Sequence, residues 1–234
     1  DDIADEGLFS TKERLEKLEI YQKNLNRIKN NNINVDPLFQ DIYKIIKNYS
    51  IPLPLFQKFI NAFKQDIINK RYKNFNEVSN YLNNAASPAG EMILCLFNMN
   101  TDQNIKYSNS ICHALALIGI SQDFHEDILK DRLYIPSDEM KRFNLKKSDI
   151  QNKEFNNNWK TYKLFWLNRT GMILEEGLPL LNNTKGRFKL QIKIMINASK
   201  LLIQRMENNH CDLFNKPPKL SKIDWIYLFF KALY

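Results

Sequence analysis

Apolar side chains return every three to four positions along nearly the whole chain, the spacing of an amphipathic helix rather than a strand. Leu15, Leu18, Leu25 and Ile28 follow Ser10 and Glu13, a capping box in which serine and glutamate each satisfy a first-turn N–H. The run Asn30-Asn31-Asn32-Ile33-Asn34 ends that helix. Asp36-Pro37 opens a second one carrying Ile42, Ile45 and Ile46, with proline in the first turn, where an N–H is not missed. Pro52 and Pro54 close it and begin a third along Phe56, Phe59, Ile60, Phe63 and Ile67. A helix from about Asn76 carries Tyr81, and Pro88-Ala89-Gly90 interrupts or kinks the run toward Leu96. Further along, the pattern predicts a long apolar helix from Tyr107 to about Asp127, a loop over Leu129–Pro136 and a cap at Ser148 with Gln151. Two long helices over about Glu154–Leu181 and Gly186–Asn208 follow, and a terminal helix after Pro217-Pro218. No internal repeat, strand pair or linker stands out, so residues 1–234 are expected to form one all-α domain.

Composition narrows the function classes. A chain of 234 residues with 44% hydrophobic and 12% aromatic content buries a substantial core, and only 6 Gly and 8 Pro disfavour a turn-rich all-β fold. The formal charge of +8 suits an anionic partner, whether nucleic acid, membrane surface or small molecule. Its lysines are scattered, with no basic block and no basic-aromatic stripe, so nucleic acid is not expected. Cys95, Cys112 and Cys211 are odd in number and far apart, which fits free thiols in a reducing, cytoplasmic setting rather than a disulfide or zinc framework. No signal peptide and no bilayer-length apolar run is evident. The most apolar stretch, Trp225–Tyr234, is expected to cap the core as a helix. Peripheral contact with the inner face of a membrane is the alternative.

Two acidic clusters carry the candidate chemistry: Asp1-Asp2-Ile3-Ala4-Asp5-Glu6 and Asp123-Phe124-His125-Glu126-Asp127. Asp1 with Asp5, and Asp123 with Asp127, are four apart, so on a helix each pair projects from one face with Cβ atoms roughly 5–6 Å apart. Two such faces suit magnesium, which takes few carboxylates and completes its shell with waters and phosphate oxygens. His125 lies about 200° around the helix from Asp123 and is expected off that face.

The two Asp-x-x-x-Asp motifs in this order resemble those of the squalene/phytoene synthase family, with Glu6-Gly7 following the first. The resemblance covers almost the whole chain. Within the family the chain is most similar to the bacterial hydroxysqualene synthase branch. The residues that carry this are Ala62-Phe63-Lys64-Gln65-Asp66 with Arg71-Tyr72, Ser87-Pro88-Ala89-Gly90, Gln122-Asp123, Asp131-Arg132-Leu133-Tyr134-Ile135-Pro136, and Lys216-Pro217-Pro218-Lys219-Leu220 with Asp224-Trp225. Gln122 stands where phytoene synthases usually have Arg.

The resemblance implies the all-α isoprenoid synthase fold with a central active-site cavity, and relatives carry an N-terminal segment before the first motif that this chain lacks. It also implies conversion of presqualene diphosphate and water to hydroxysqualene and diphosphate. Asp1, Asp5, Asp123 and Asp127 would be catalytic as ligands of Mg2+, with Gln122, Arg132, Tyr134, Arg71 and Tyr81 binding substrate. Arg169 is a further basic candidate, and Phe56, Phe59 and Phe63 could line a hydrocarbon tunnel or simply pack. Two alternatives stand beside this reading: condensation of two prenyl diphosphates, and a noncatalytic assembly role. Ala116 and Gly119 replace the family's Gln and Asn before the second motif, and Gly119 also weakens its helix by roughly 1 kcal/mol relative to Ala. Glu91 replaces an Arg after the Pro-x-Gly turn, a reversed charge that an anionic substrate would tolerate only if it faces solvent.

Overall fold

A computed structural model describes residues 2–5, 9–32, 34–68, 71–208 and 217–233. Every regular element among the described residues is a helix: α1 Asp2–Asp5, α2 Thr11–Lys29, α3 Pro37–Tyr49, α4 Leu53–Ile68, α5 Phe75–Ala85, α6 Ser87–Leu96 and α7 Asp102–Gln122. These continue with α8 Phe124–Leu129, α9 Ser137–Arg142, α10 Lys147–Asn152, α11 Asn157–Gly177, α12 Leu180–Asn183, α13 Gly186–Glu207 and α14 Lys222–Leu233.

Caps decide where these helices start. Both halves of the Ser10/Glu13 capping box form, and Asp36 accepts from the Leu38 N–H at 3.0 Å. The long apolar helix begins at Asp102 rather than Tyr107, because the Thr101 hydroxyl caps the Asn104 N–H at 3.3 Å. It ends at Gln122 instead of running to Asp127. The expected cap at Ser148 is corrected to Asp149, in the first turn of α10. Its buried carboxylate accepts from the Lys146 N–H, Asn156 and the Trp159 indole at 3.3, 3.1 and 3.0 Å. The helix read over Glu154–Leu181 starts only at Asn157, where Asn156 accepts from two backbone N–H groups, and Pro179 divides α11 from α12. Six-residue α9 is too short to show a period.

The core is built on α7 and α11, which pack along their length with α5, α6 and α13 around them. Leu117, Leu167, Leu174 and Trp159 are essentially inaccessible there, each leucine contributing about 1.5–3 kcal/mol by burial. The two helices meet closely at Gly177, where an added β-carbon would lie 2.5 Å from Ile111 Cγ1 and 2.8 Å from the Tyr107 carbonyl oxygen. Helix α4 joins this core to a smaller one. Ala62 packs into the main cluster, while Ile60 and Ile67 join Leu18, Leu25, Ile28 and Phe39 of α2 and α3. Asp66, four residues after Ala62, therefore points toward the main core.

The terminal helix corrects another expectation. Helix α14 docks on α13 through Leu228 and Ala232 and through Asp224, which accepts two hydrogen bonds from Arg205 at 2.6 and 2.9 Å. Its remaining large apolar side chains are exposed instead of capping the core.

Candidate active site

The second aspartate pair straddles a helix break. Asp123 closes α7 and opens α8 with φ −95° and ψ 8°. Helical hydrogen bonds nevertheless run through it, from the Asp123 N–H to the Gly119 carbonyl and from the Asp127 N–H to the Asp123 carbonyl, both 2.8 Å. Asp123 is exposed, yet partial desolvation and the neighbouring Glu126 charge raise its carboxyl above the usual range, opposed by Lys219 and Lys130. Asp127 is turned toward Arg132, with Oδ1 3.8 Å from Nη1, and the Arg132 N–H donates to the Asp127 carbonyl at 2.7 Å. The loop therefore folds the arginine back onto the pair. Gln122, one residue earlier, donates to the Pro218 carbonyl at 2.6 Å and so ties the segment before α14 to this end of α7.

The first motif approaches from the other side. Asp1 and the side chains of Asp2 and Asp5 lie outside the described residues. The backbone of α1 packs on α2 and α4, with Ala4 buried against Leu18, Ile60 and Ile67. Arg14 of α2 donates to the Ala4 carbonyl and, at 3.1 Å, to that of Phe9. Between these elements and the loop after α8 lies a polar cavity of about 250 Å3, lined by Ala4, Phe9, Thr11, Arg14, Asp66, Ile67, Lys130 and Arg132. The backbone of the first motif and the residues that follow the second thus border one space.

Behind this cavity sits a cluster of neutral donors. The Tyr81 and Tyr134 hydroxyls donate to the two oxygens of buried Asp66 at 3.1 and 3.2 Å, and lie 3.4 Å from each other. Tyr72 stacks on Tyr134 with centroids 5.6 Å apart and touches Tyr81 at 5.8 Å. Burial raises all three phenols well above their ordinary value, with the Asp66 charge and phenol–phenol coupling adding to it in Tyr72 and Tyr81 and the Asp66 charge in Tyr134. They remain protonated at neutral pH, able to donate hydrogen bonds and to present ring faces.

A second, almost wholly apolar cavity of about 270 Å3 opens between α2, α3 and α4, lined by Tyr21, Leu25, Leu38, Phe39, Ile42, Phe56, Phe59, Ile60 and Phe63. The phenylalanines that could have been simple packing therefore border space. Helix α4 borders both cavities: from Phe56 to Asp66 it rises about 15 Å.

Other expected residues lie elsewhere. Arg71 turns to Asp131, donating at 2.5 Å, and borders different clefts shared with Lys147 and Leu133. Arg169 is sandwiched between Phe75 and Phe165, 4.0 and 4.5 Å from their centroids, and donates to Glu139 at 2.5 Å, which removes it from the phosphate-binding candidates. Glu91 neither faces solvent nor lines the polar cavity; it is largely buried and pairs with Lys58 at 3.3 Å. A β-carbon at Gly119, one turn before Asp123, would meet nothing within 4 Å.

Three residues of the site escaped the sequence reading. Asp66 was legible as a carboxylate on the apolar face of α4, three residues after Phe63, where an unpaired charge has no place. Nothing in the local pattern distinguishes Arg14 or Lys130 from surface charges, because only the packing of α1 on α2 and the turn after α8 bring them to the cavity.

Known proteins resemble this chain in sequence and in fold. A phytoene synthase of Arthrospira platensis is 24% identical over 232 residues, covering 92% of this chain and 74% of that protein. The phytoene synthase of Mycobacterium tuberculosis is 25% identical over 146 residues, covering 62% of this chain and 47% of its own, so the chain spans about half the length of that relative. Among solved structures, squalene synthase HpnC from Alicyclobacillus acidocaldarius superposes with a TM-score of 0.80 at 21% identity, covering 88% of this chain and 76% of that one. A dehydrosqualene synthase in complex with ligand gives 0.81 at 15%, covering 92% and 76%. These likenesses establish the all-α fold that HpnC has. The sequence model of squalene/phytoene synthase matches residues 1–224, and the chain with its paired aspartate motifs belongs to that family.

Proposed function

We propose that the protein converts presqualene diphosphate and water to hydroxysqualene and diphosphate. The observation that carries this reading is the polar cavity where the backbone of α1 meets Lys130 and Arg132, with an apolar cavity farther along α4. A diphosphate with long hydrocarbon tails needs both environments.

Arg14, Lys130 and Arg132 supply positive charge for the diphosphate in a space partly shut off from water, where such charges act strongly. Asp127 orients Arg132. Among the described residues no three His, Cys, Asp or Glu side chains converge on one point, so the second motif by itself is a two-carboxylate set. Asp123, open to solvent, and Asp127 are hard oxygen donors that fit magnesium, with Asp1 and Asp5 as the expected second pair. Bound magnesium would neutralise charge on the departing diphosphate. Substrate cleavage breaks the carbon–oxygen bond, with the electron pair leaving on the diphosphate. Water then bonds to the carbocation and its proton passes to the diphosphate. Tyr81 and Tyr134, held by Asp66, would set their neutral oxygens and ring faces toward the cation without offering a competing nucleophile. Gln122, in place of a phytoene-synthase Arg, leaves the mouth less positive and is tied to Pro218.

The second reading, condensation of two prenyl diphosphates, is favoured by the names of the relatives, which are phytoene synthases. Incubation with magnesium and presqualene diphosphate, or with farnesyl or geranylgeranyl diphosphate, separates the two. Hydroxysqualene from presqualene diphosphate alone, lost in Asp123→Ala and Asp127→Ala, supports the proposal. Condensation products without hydroxysqualene overturn it, and no turnover with substrate binding unchanged by either variant points to an assembly role.

A further inference from the structure

Helix α14 is apolar on the side it turns away from the protein. Ile223, Ile226, Tyr227, Phe230 and Leu233 follow the spacing i, i+3, i+4, i+7, i+10 and are each between 51 and 77% exposed. At about 100° per residue they form one stripe, with Leu228 and Ala232 on the opposite, buried side. A surface helix normally shows solvent its polar face. Here the inner side is already used against α13, and the outer side has no partner among the described residues.

We propose that this stripe inserts into the headgroup region of an anionic lipid bilayer. The charges of the helix select that occupant over an apolar protein face. Lys222 and Lys231 lie about 80–100° to either side of the stripe, both exposed, where their stems can run along apolar surface and their ammonium groups reach phosphate. Asp224, the acidic residue of α14, is turned inward to Arg205 and adds no repulsion. Lys219 extends the basic edge, and the chain as a whole carries +8. Tyr227 in the stripe is a side chain that favours the membrane–water boundary. Among the described residues no helix is long and apolar enough to cross a membrane, so the helix lies in the interface.

The placement of α14 gives docking a use. The segment that leads into it is held to the second aspartate motif by the Gln122–Pro218 hydrogen bond, and the Lys219 charge is felt at Asp123. A bilayer at α14 would therefore sit beside the mouth of the site. That use, delivery of a prenyl diphosphate and release of its hydrocarbon product, rests on the function proposed above; the docking itself does not.

Flotation of the full chain, without substrate or magnesium, with vesicles of phosphatidylcholine alone or doped with phosphatidylglycerol tests the docking. The expected result is flotation with the doped vesicles only. Ile226→Gln/Phe230→Gln should weaken it at least about tenfold with unchanged circular dichroism, since two large apolar side chains no longer insert. Lys222→Gln/Lys231→Gln should weaken it by about fivefold per lysine. Absence of flotation, or flotation unaffected by the Ile226/Phe230 double variant, overturns the proposal. So does a dimer in sedimentation that this variant converts to monomer with no flotation, because the stripe would then cover a second copy.

Discussion

The shared acceptor at Asp66 makes a quantitative prediction. Tyr81→Phe and Tyr134→Phe each delete one O–H···O bond to a carboxylate, of 3.1 and 3.2 Å, and leave the aromatic packing in place. Hydrogen bonds to charged groups contribute about 1.5–3 kcal/mol. Asp66 is only 8% exposed but borders the polar cavity, so water can replace one lost donor. Each single variant should therefore lose about 1.5 kcal/mol, the low end of that range. The double variant removes both tyrosine donors from a buried carboxylate, and the loss should exceed the sum of the singles by about 1 kcal/mol, a coupling typical of groups in one network. Urea unfolding followed by circular dichroism, with a common slope for all four proteins, measures the cycle. Additivity within about 0.3 kcal/mol would refute a shared acceptor. Singles that cost nothing would refute the hydrogen bonds themselves.

Two glycines on the central helices should respond in opposite directions: Gly119→Ala should stabilise by about 0.5–1 kcal/mol, as its β-carbon enters open space, and Gly177→Ala should destabilise by about 1–3 kcal/mol by pressing α11 off Ile111 and the Tyr107 carbonyl. Thermal melts of the two variants check the signs. Burial of His113, whose Nε2 lies 3.0 Å from the Ser87 hydroxyl, lowers its pKa below the ordinary 6.5. The folded state then binds the proton more weakly, so the stability contribution is present above pH 6.5 and is lost as pH falls through the folded value; His113→Gln should flatten that part of the pH–stability curve. Asp123 has the reverse sign. Desolvation and Glu126 raise it above 3.8, so its contribution is present below pH 3.8 and lost as pH rises through the folded value. Without magnesium, Asp123→Asn should be more stable than the parent at pH 7, and the difference should vanish at acid pH.

The helices whose starts were legible are those announced by a local device: Ser10 with Glu13, Asp36 with Pro37, and the prolines around α4 act within four residues of the boundary they set. The break at Asp123 was not legible, since helical hydrogen bonds continue on both sides of it although its ψ of 8° leaves the helical range; period and spacing are nearly the same with or without it. The bond from the Asp127 N–H to the Asp123 carbonyl keeps the two residues one turn apart. Residues that act across elements form the opposite class. Arg14 and Lys130 border one cavity although 116 positions separate them, and nothing in the residues beside them announces it.

Helix α14 shows a third kind of limit. From Trp225 to Phe230 the chain offers only large apolar side chains, so the pattern carries no contrast between an inner and an outer face. Contrast comes from what the rest of the fold supplies. Asp224 pairs with Arg205 of α13 on the side where Leu228 and Ala232 are buried, which leaves the Ile223–Leu233 stripe outward. The charge pair, worth little as stability on an accessible surface, acts with the burial of Leu228 to set which apolar face turns outward. In the same region the Gln122 amide holds the approach to α14 against the end of α7, so the orientation of the exposed stripe and the position of the second aspartate pair are set by adjacent contacts. Loss of the Arg205–Asp224 pair should therefore disturb the presentation of the stripe before it disturbs the α7–α11 core.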